Sequence, residues 1–102
     1  MTHEEIRELI NRRRRQILIH SCIYYRLNSS IWTDSQYDQK ARELQKLQEQ
    51  YHEIAAECDF HDAFKDFTET TSGFKLPIHD PLIVLKAQRL LKYHQRRKTQ
   101  SD

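Results

Sequence analysis

One glycine and two prolines stand in the whole of this 102-residue chain, so it has few residues with which to reverse a strand. Turns draw on Gly, Pro, Asn and Asp for their special dihedral angles, and a many-stranded sheet needs a turn every few residues. The chain is therefore expected to fold from few, long elements, and an all-α architecture is the simplest fit. Apolar residues make up 37% and charged residues 31%. That is polar for a globular chain, but the apolar positions recur at helical spacing, which argues against disorder. A chain of this length builds one modest core, burying roughly 60–70% of the surface its unfolded form exposes.

Thr2 and Glu5 have the spacing of a capping box, and Ile6, Leu9, Ile10, Ile17, Cys22 and Tyr24 continue an imperfect helical stripe. The spacing predicts a first helix from about Thr2 to Leu27. Asn28-Ser29-Ser30 breaks it, and Trp32 is placed to pin the turn to the core. Thr33 and Gln36 repeat the capping spacing, and Tyr37, Ala41, Leu44, Leu47, Tyr51 and Ile54 extend a second helix over roughly Asp34 to Glu57. Two long amphipathic helices joined by a short polar link make an antiparallel helical hairpin. Asp59 and Asp62 are candidate caps for a short third helix carrying Phe60, Phe64 and Phe67. A connector with a Ser72-Gly73 turn and Pro77 follows. Asp80-Pro81 reads as an N-cap and first residue of a C-terminal helix ending near Arg97, with Leu82, Leu85, Leu90 and Leu91 on its apolar face. The expected organisation is a single domain over 1–102: a hairpin at 1–57, a short helix and connector at 58–80, and a basic helix at 81–98.

Charge is divided along the chain more sharply than its net value of +2 suggests. Residues 1–28 carry six basic and three acidic groups, 34–71 four basic and ten acidic, and 86–98 six basic and none acidic. Arg12, Arg13, Arg14 and Arg15 span more than a helical turn, so at most one or two of them face a core and the others reach solvent or a partner's phosphates or carboxylates. Lys92, Arg96 and Arg97 offer a second such contact, or pair with the acidic second helix. No apolar run is long enough for a membrane span and the N-terminus is acidic where a secretory signal is basic, so a cytoplasmic protein with Cys22 and Cys58 reduced is expected. The six histidines are dispersed without the close helical spacing of a zinc site, and no metal is expected.

The hairpin geometry brings the end of the first helix, Tyr24 and Tyr25, to the start of the second, Asp34, Tyr37 and Asp38. Tyrosine faces stack on heteroaromatic rings and attract cations, and carboxylates accept hydrogen bonds from ribose hydroxyls. The same residues have a structural reading: acids in the first turn of a helix are stabilised by its dipole, and Tyr37 fits a core.

Tyr24-Tyr25, a short turn, Asp34-x-x-Tyr37-Asp38, then Arg42-Glu43-Leu44 and Leu47 resemble the N-terminal Ia domain of NAD-dependent DNA ligases. The likeness covers residues 17–54, and the spacing between tyrosine pair and acidic pair matches without a gap. Ser30 stands where that family usually has a proline before the second helix. The resemblance implies that Tyr24, Tyr25, Asp34, Tyr37 and Asp38 hold the nicotinamide mononucleotide (NMN) half of NAD, rings stacking and acids contacting sugar and amide. A full ligase is not expected. Adenylyl transfer needs a lysine in a Lys-x-Asp-Gly setting, and the one glycine lies in Thr71-Ser72-Gly73-Phe74.

The expected function is thus a non-catalytic module binding NMN, NAD or an adenylation domain through the hairpin end. A different class is a small phage-type regulator or defence inhibitor that binds a host protein through its charged faces. A third is a nucleic-acid accessory protein, for which no recognition motif accompanies the charge. Apolar stripes wider than one small core covers would be met by a homodimer.

Overall fold

The computed structural model describes residues 1–100, with side chains through Arg97. Among them the chain forms five α-helices: α1 (His3–Tyr25), α2 (Asp34–Gln50), α3 (His52–Glu57), α4 (His61–Phe64) and α5 (Pro81–Gln100), with a 3-10 turn at Gly73–Lys75 before α5. The all-α class expected from the scarcity of turn residues is what forms.

α1 is the spine. It packs against α2 and α3 on one side, and against α5 and the 3-10 turn elsewhere. Because it is covered from several directions its apolar surface is wider than a single stripe, and Ile6, Ile10, Ile17, Leu18, Cys22 and Ile23 are all buried. The capping boxes at Thr2/Glu5 and Thr33/Gln36 are both made, the hydroxyl accepting from the third residue's N–H and that residue's side chain accepting from the cap's own N–H. Past α1 the N–H of Ser29 returns to the Ile23 carbonyl at 3.1 Å, and Asn28 takes φ 50°, the left-handed position that Asn tolerates at a helix end. Cys22 and Cys58 are free, buried thiols, and burial pushes both pKa values up.

Arg14 departs from the expectation of a partner contact. It is fully buried, donating to the Gln48 side chain at 2.8 Å, the Asp59 carbonyl at 2.7 Å and the Ala55 carbonyl at 3.1 Å, with its guanidinium 5.7 Å from the Phe64 ring centre. Gln48 passes the network on to the Phe64 carbonyl at 3.0 Å. Burial pushes the Arg14 pKa down from the usual guanidinium value, and its donors are spent inside the molecule.

The second helix also departs from the sequence reading. Instead of running on to Glu57 it breaks at Tyr51 (φ −120°, ψ 52°), with no Gly or Pro to mark the place. The segment after the break is held from α1: Arg14 donates to the Ala55 and Asp59 carbonyls, and Asn11 accepts the Asp59 N–H at 2.8 Å. α1 thereby holds the end of α3. α4 begins after Phe60 in the left-handed region (φ 62°) without a side-chain cap, so neither Asp59 nor Asp62 plays the expected role. Phe64 and Phe67 are core, packed ring to ring at 5.2 Å, and Phe60 is partly buried.

Asp80 caps α5 as expected, accepting from the Leu82 and Ile83 N–H groups. The buried face, however, is Ile83 and Ala87, with Val84, Leu90 and Leu91 alongside, whereas Leu82 and Leu85 are exposed. α5 lies principally on α1 and not on acidic α2, and none of the ion pairs among the described residues involves it.

Candidate functional site

The turn that closes the α1–α2 hairpin leaves a cleft of about 390 Å³ at that end of the molecule. α1 contributes its last two turns, where His20, Ser21, Tyr24 and Tyr25 share one face by their i, i+1, i+4, i+5 spacing. The link adds Ser30, Ile31, Trp32 and Thr33, and the first turns of α2 add Asp34, Tyr37 and Asp38. All five residues singled out from the hairpin pattern therefore line one cavity.

The rings are held in a definite order. Trp32 lies flat on His20, centroids 3.6 Å apart and planes within 5°, and meets Tyr37 edge-on at 6.4 Å. Tyr24 and Tyr25 form a T-shaped pair at 4.9 Å, and Tyr25 meets Phe74 edge-on at 5.7 Å. Tyr37 is fixed through its hydroxyl, 2.9 Å from Ser21 Oγ, and burial is the main cause that pushes its pKa up. Tyr24 and Tyr25 remain exposed, and Tyr25 Oη lies 3.4 Å from Ser72 Oγ. Burial pushes His20 down to about 4, which leaves it neutral at neutral pH. Asp34 and Asp38 are exposed at the rim, and neither has an ion-pair partner among the described residues.

A further wall was not foreseen. Glu69, Thr70, Thr71, Ser72 and Gly73, far along the chain from the hairpin, also line the cleft. Thr68 and Thr71 organise this wall, the Thr68 N–H donating to Thr71 Oγ1 at 3.0 Å and the Thr71 N–H to the Thr68 carbonyl at 3.0 Å. It is tied to α2 where the Glu69 N–H donates to Gln45 Oε1 at 2.8 Å and the Glu69 carboxylate meets Arg42 at 3.6 Å. Gly73 shows why the chain's one glycine sits here. A Cβ at that position would lie 2.4 Å from Ser21 Oγ and 2.8 Å from Tyr37 Oη, so only a hydrogen permits the wall to close on the Ser21–Tyr37 pair. The lone glycine in a hydroxyl-rich run was the available signal; His20 and Ser21 were marked only by lying one turn before the tyrosines.

The basic residues lie elsewhere. Arg13 bonds Gln16 and faces Glu43 at 3.5 Å, Arg15 faces Asp59 at 4.0 Å, and Arg12 is exposed. Lys92, Arg96 and Arg97 are exposed on α5, where Arg97 lies over Tyr93. None of them lines the cleft.

The family model for the DNA ligase-like, N-terminal NAD+-binding domain matches residues 3–57, more than half of the chain. The chain belongs to this family. The match spans α1, α2 and α3 of this ligase-like NAD+-binding domain and ends before the Glu69–Gly73 wall and α5. No solved structure matches the chain. Among the described residues no group of three His, Cys, Asp or Glu side chains is placed to hold a metal ion, and no helix is long and apolar enough to cross a membrane.

Proposed function

We propose that this ligase-like domain is a binding module, without a catalytic step of its own, that holds the nicotinamide–ribose part of a nicotinamide nucleotide in the hairpin cleft. The observation that carries this is the convergence of Tyr24, Tyr25, Tyr37, Asp34 and Asp38 on one cavity in a chain of this family. At about 390 Å³ the cleft is at the lower end of the roughly 300–1,000 Å³ typical of small-molecule sites, a size suited to half of a dinucleotide rather than the whole. The exposed tyrosine faces suit a flat, positively charged pyridinium, and the unpaired carboxylates suit ribose hydroxyls and the carboxamide N–H. NAD+ would supply that cationic ring; the chain's own residues bind and orient it.

Calorimetric titration with NAD+ and NMN tests the reading. Saturable binding is expected, and replacing both Asp34 and Asp38 by Ala is expected to abolish it while the helical circular dichroism signal stays unchanged. Unaltered affinity in the double variant would sink the assignment.

A further inference from the structure

The aromatic surface at the cleft runs on past its wall. Phe74 follows Gly73 directly and meets Tyr25 edge-on with ring centres 5.7 Å apart, yet it does not line the cavity and is 64% exposed. Resting on the reading of the cleft as a nicotinamide site, we infer that the Gly73–Lys75 turn is a second half-site, where the Phe74 ring stacks on the adenine of a dinucleotide whose nicotinamide half fills the cleft. The chain then prefers NAD+ to NMN.

The Phe74 side chain is open, but the backbone that carries it is anchored. Gly73 before it and Leu76 after it are buried, Ser72 Oγ accepts the Phe74 N–H at 3.3 Å, and the Leu76 N–H donates to the Gly73 carbonyl at 3.2 Å. Gly73 also seats the turn against Ser21 and Tyr37, where no side chain fits. A ring on a fixed turn has less freedom to lose when a ligand settles on it than a ring on a loose loop. Single exposed apolar side chains are ordinary on a protein surface. Here three exposed rings adjoin, Tyr24 on Tyr25 at 4.9 Å and Tyr25 on Phe74, so that the flat surface extends from inside the cleft to outside it.

Size and chemistry agree with a ligand in two halves. A cleft of about 390 Å³ suits one nucleotide, and the other half of a dinucleotide then rests on the surface beside it. The tyrosines and carboxylates within the cleft match a cationic pyridinium, whereas adenine is neutral and needs only a flat apolar face, which phenylalanine supplies. Lys75, the next residue, is exposed and has no ion-pair partner among the described residues, which puts a cation within one residue of the ring for the phosphates that join the two halves. Phe74 and Lys75 both lie outside residues 3–57, the segment that matches the family.

Parallel titration of the full chain with NMN and with NAD+ reads the second half-site. NAD+ is expected to bind at least about fivefold more tightly, the low end of base-on-aromatic stacking, because Phe74 covers one face of the adenine. Phe74→Ala should bring NAD+ down to the NMN level while NMN affinity stays within about twofold of the parent, and Phe74→Trp should keep the gap. The unchanged NMN affinity also shows that the alanine variant is folded. Equal affinity of the parent for NMN and NAD+, a gap that survives Phe74→Ala, or an equal loss of both ligands in that variant would overturn the inference while leaving the cleft a nicotinamide site. Silence of the parent with NMN and NAD+ alike would overturn both.

Discussion

Arg14 occupies a place in the core that hydrophobic residues usually fill, and its consequences are local and severe. Its guanidinium satisfies Gln48 Oε1 and two carbonyls where the α2–α3–α4 segment changes direction. Arg14→Met keeps the volume but strips these acceptors of donors, at about 1–3 kcal/mol for each buried group left unpaired. A loss of about 3 kcal/mol is expected, read in a thermal melt as a fall of more than about 10 °C. Arg14→Lys should recover little of it, because one ammonium cannot reproduce a planar fork reaching three acceptors in different directions. A melt within about 2 °C of the parent would show the network to be energetically idle. From the sequence, four consecutive arginines announced that at most one or two of them could turn inward. They did not announce which, because that depends on where α3 ends, and α3 ends where Arg14 and Asn11 hold it.

At the scale of elements, the legible parts were those written in local chemistry. Both capping boxes, the Asn28 break and the Asp80-Pro81 start are set by residues within four positions of one another, and each forms as read. The break at Tyr51 and the left-handed Phe60 were not legible: the segment between them is held at Ala55 and Asp59 by contacts with α1 more than 40 residues away in sequence. The cleft divides in the same way. Its hairpin side was readable because a short turn forces Tyr24, Tyr25, Asp34, Tyr37 and Asp38 together. Its Glu69–Gly73 wall was not, because nothing in a run of threonines names its docking partner. The Thr33 cap fixes where α2 begins, and so aims Asp34, Tyr37 and Asp38 into the cavity. Thr33→Ala should cost about 1 kcal/mol of stability. Because the first turn frays, it should also weaken nicotinamide binding severalfold although Thr33 is not assigned a ligand contact. Titration of the variant against the parent, with a melt alongside, measures both; an unchanged affinity beside a lowered melt would mean the cap stabilises the helix without aiming the site.

At the scale of the whole molecule, the pattern of α5 shows how tertiary context overrides a local count. Four leucines suggested its apolar face, yet the β-branched Ile83 and the small Ala87 are the residues it buries, Leu90 and Leu91 are partly buried beside them, and Leu82 and Leu85 are exposed. A helix offering apolar residues on several sides leaves the choice to the surface it lands on. Global stability is linked to the cleft through His20, which burial keeps neutral until about pH 4, against 6.5 when free. A histidine with a depressed folded pKa binds its proton in the unfolded chain first, so its contribution is whole above pH 6.5 and is lost as pH falls from 6.5 towards 4. The parent should therefore lose stability across that window faster than a His20→Phe variant, which keeps a flat ring on Trp32 and has nothing to protonate. Chemical denaturation of both proteins at pH 7, 6, 5 and 4 isolates this linkage, because the carboxylates that titrate in the same range are shared and cancel in the difference. Parallel stability profiles would mean that His20 is as free to take a proton in the fold as out of it.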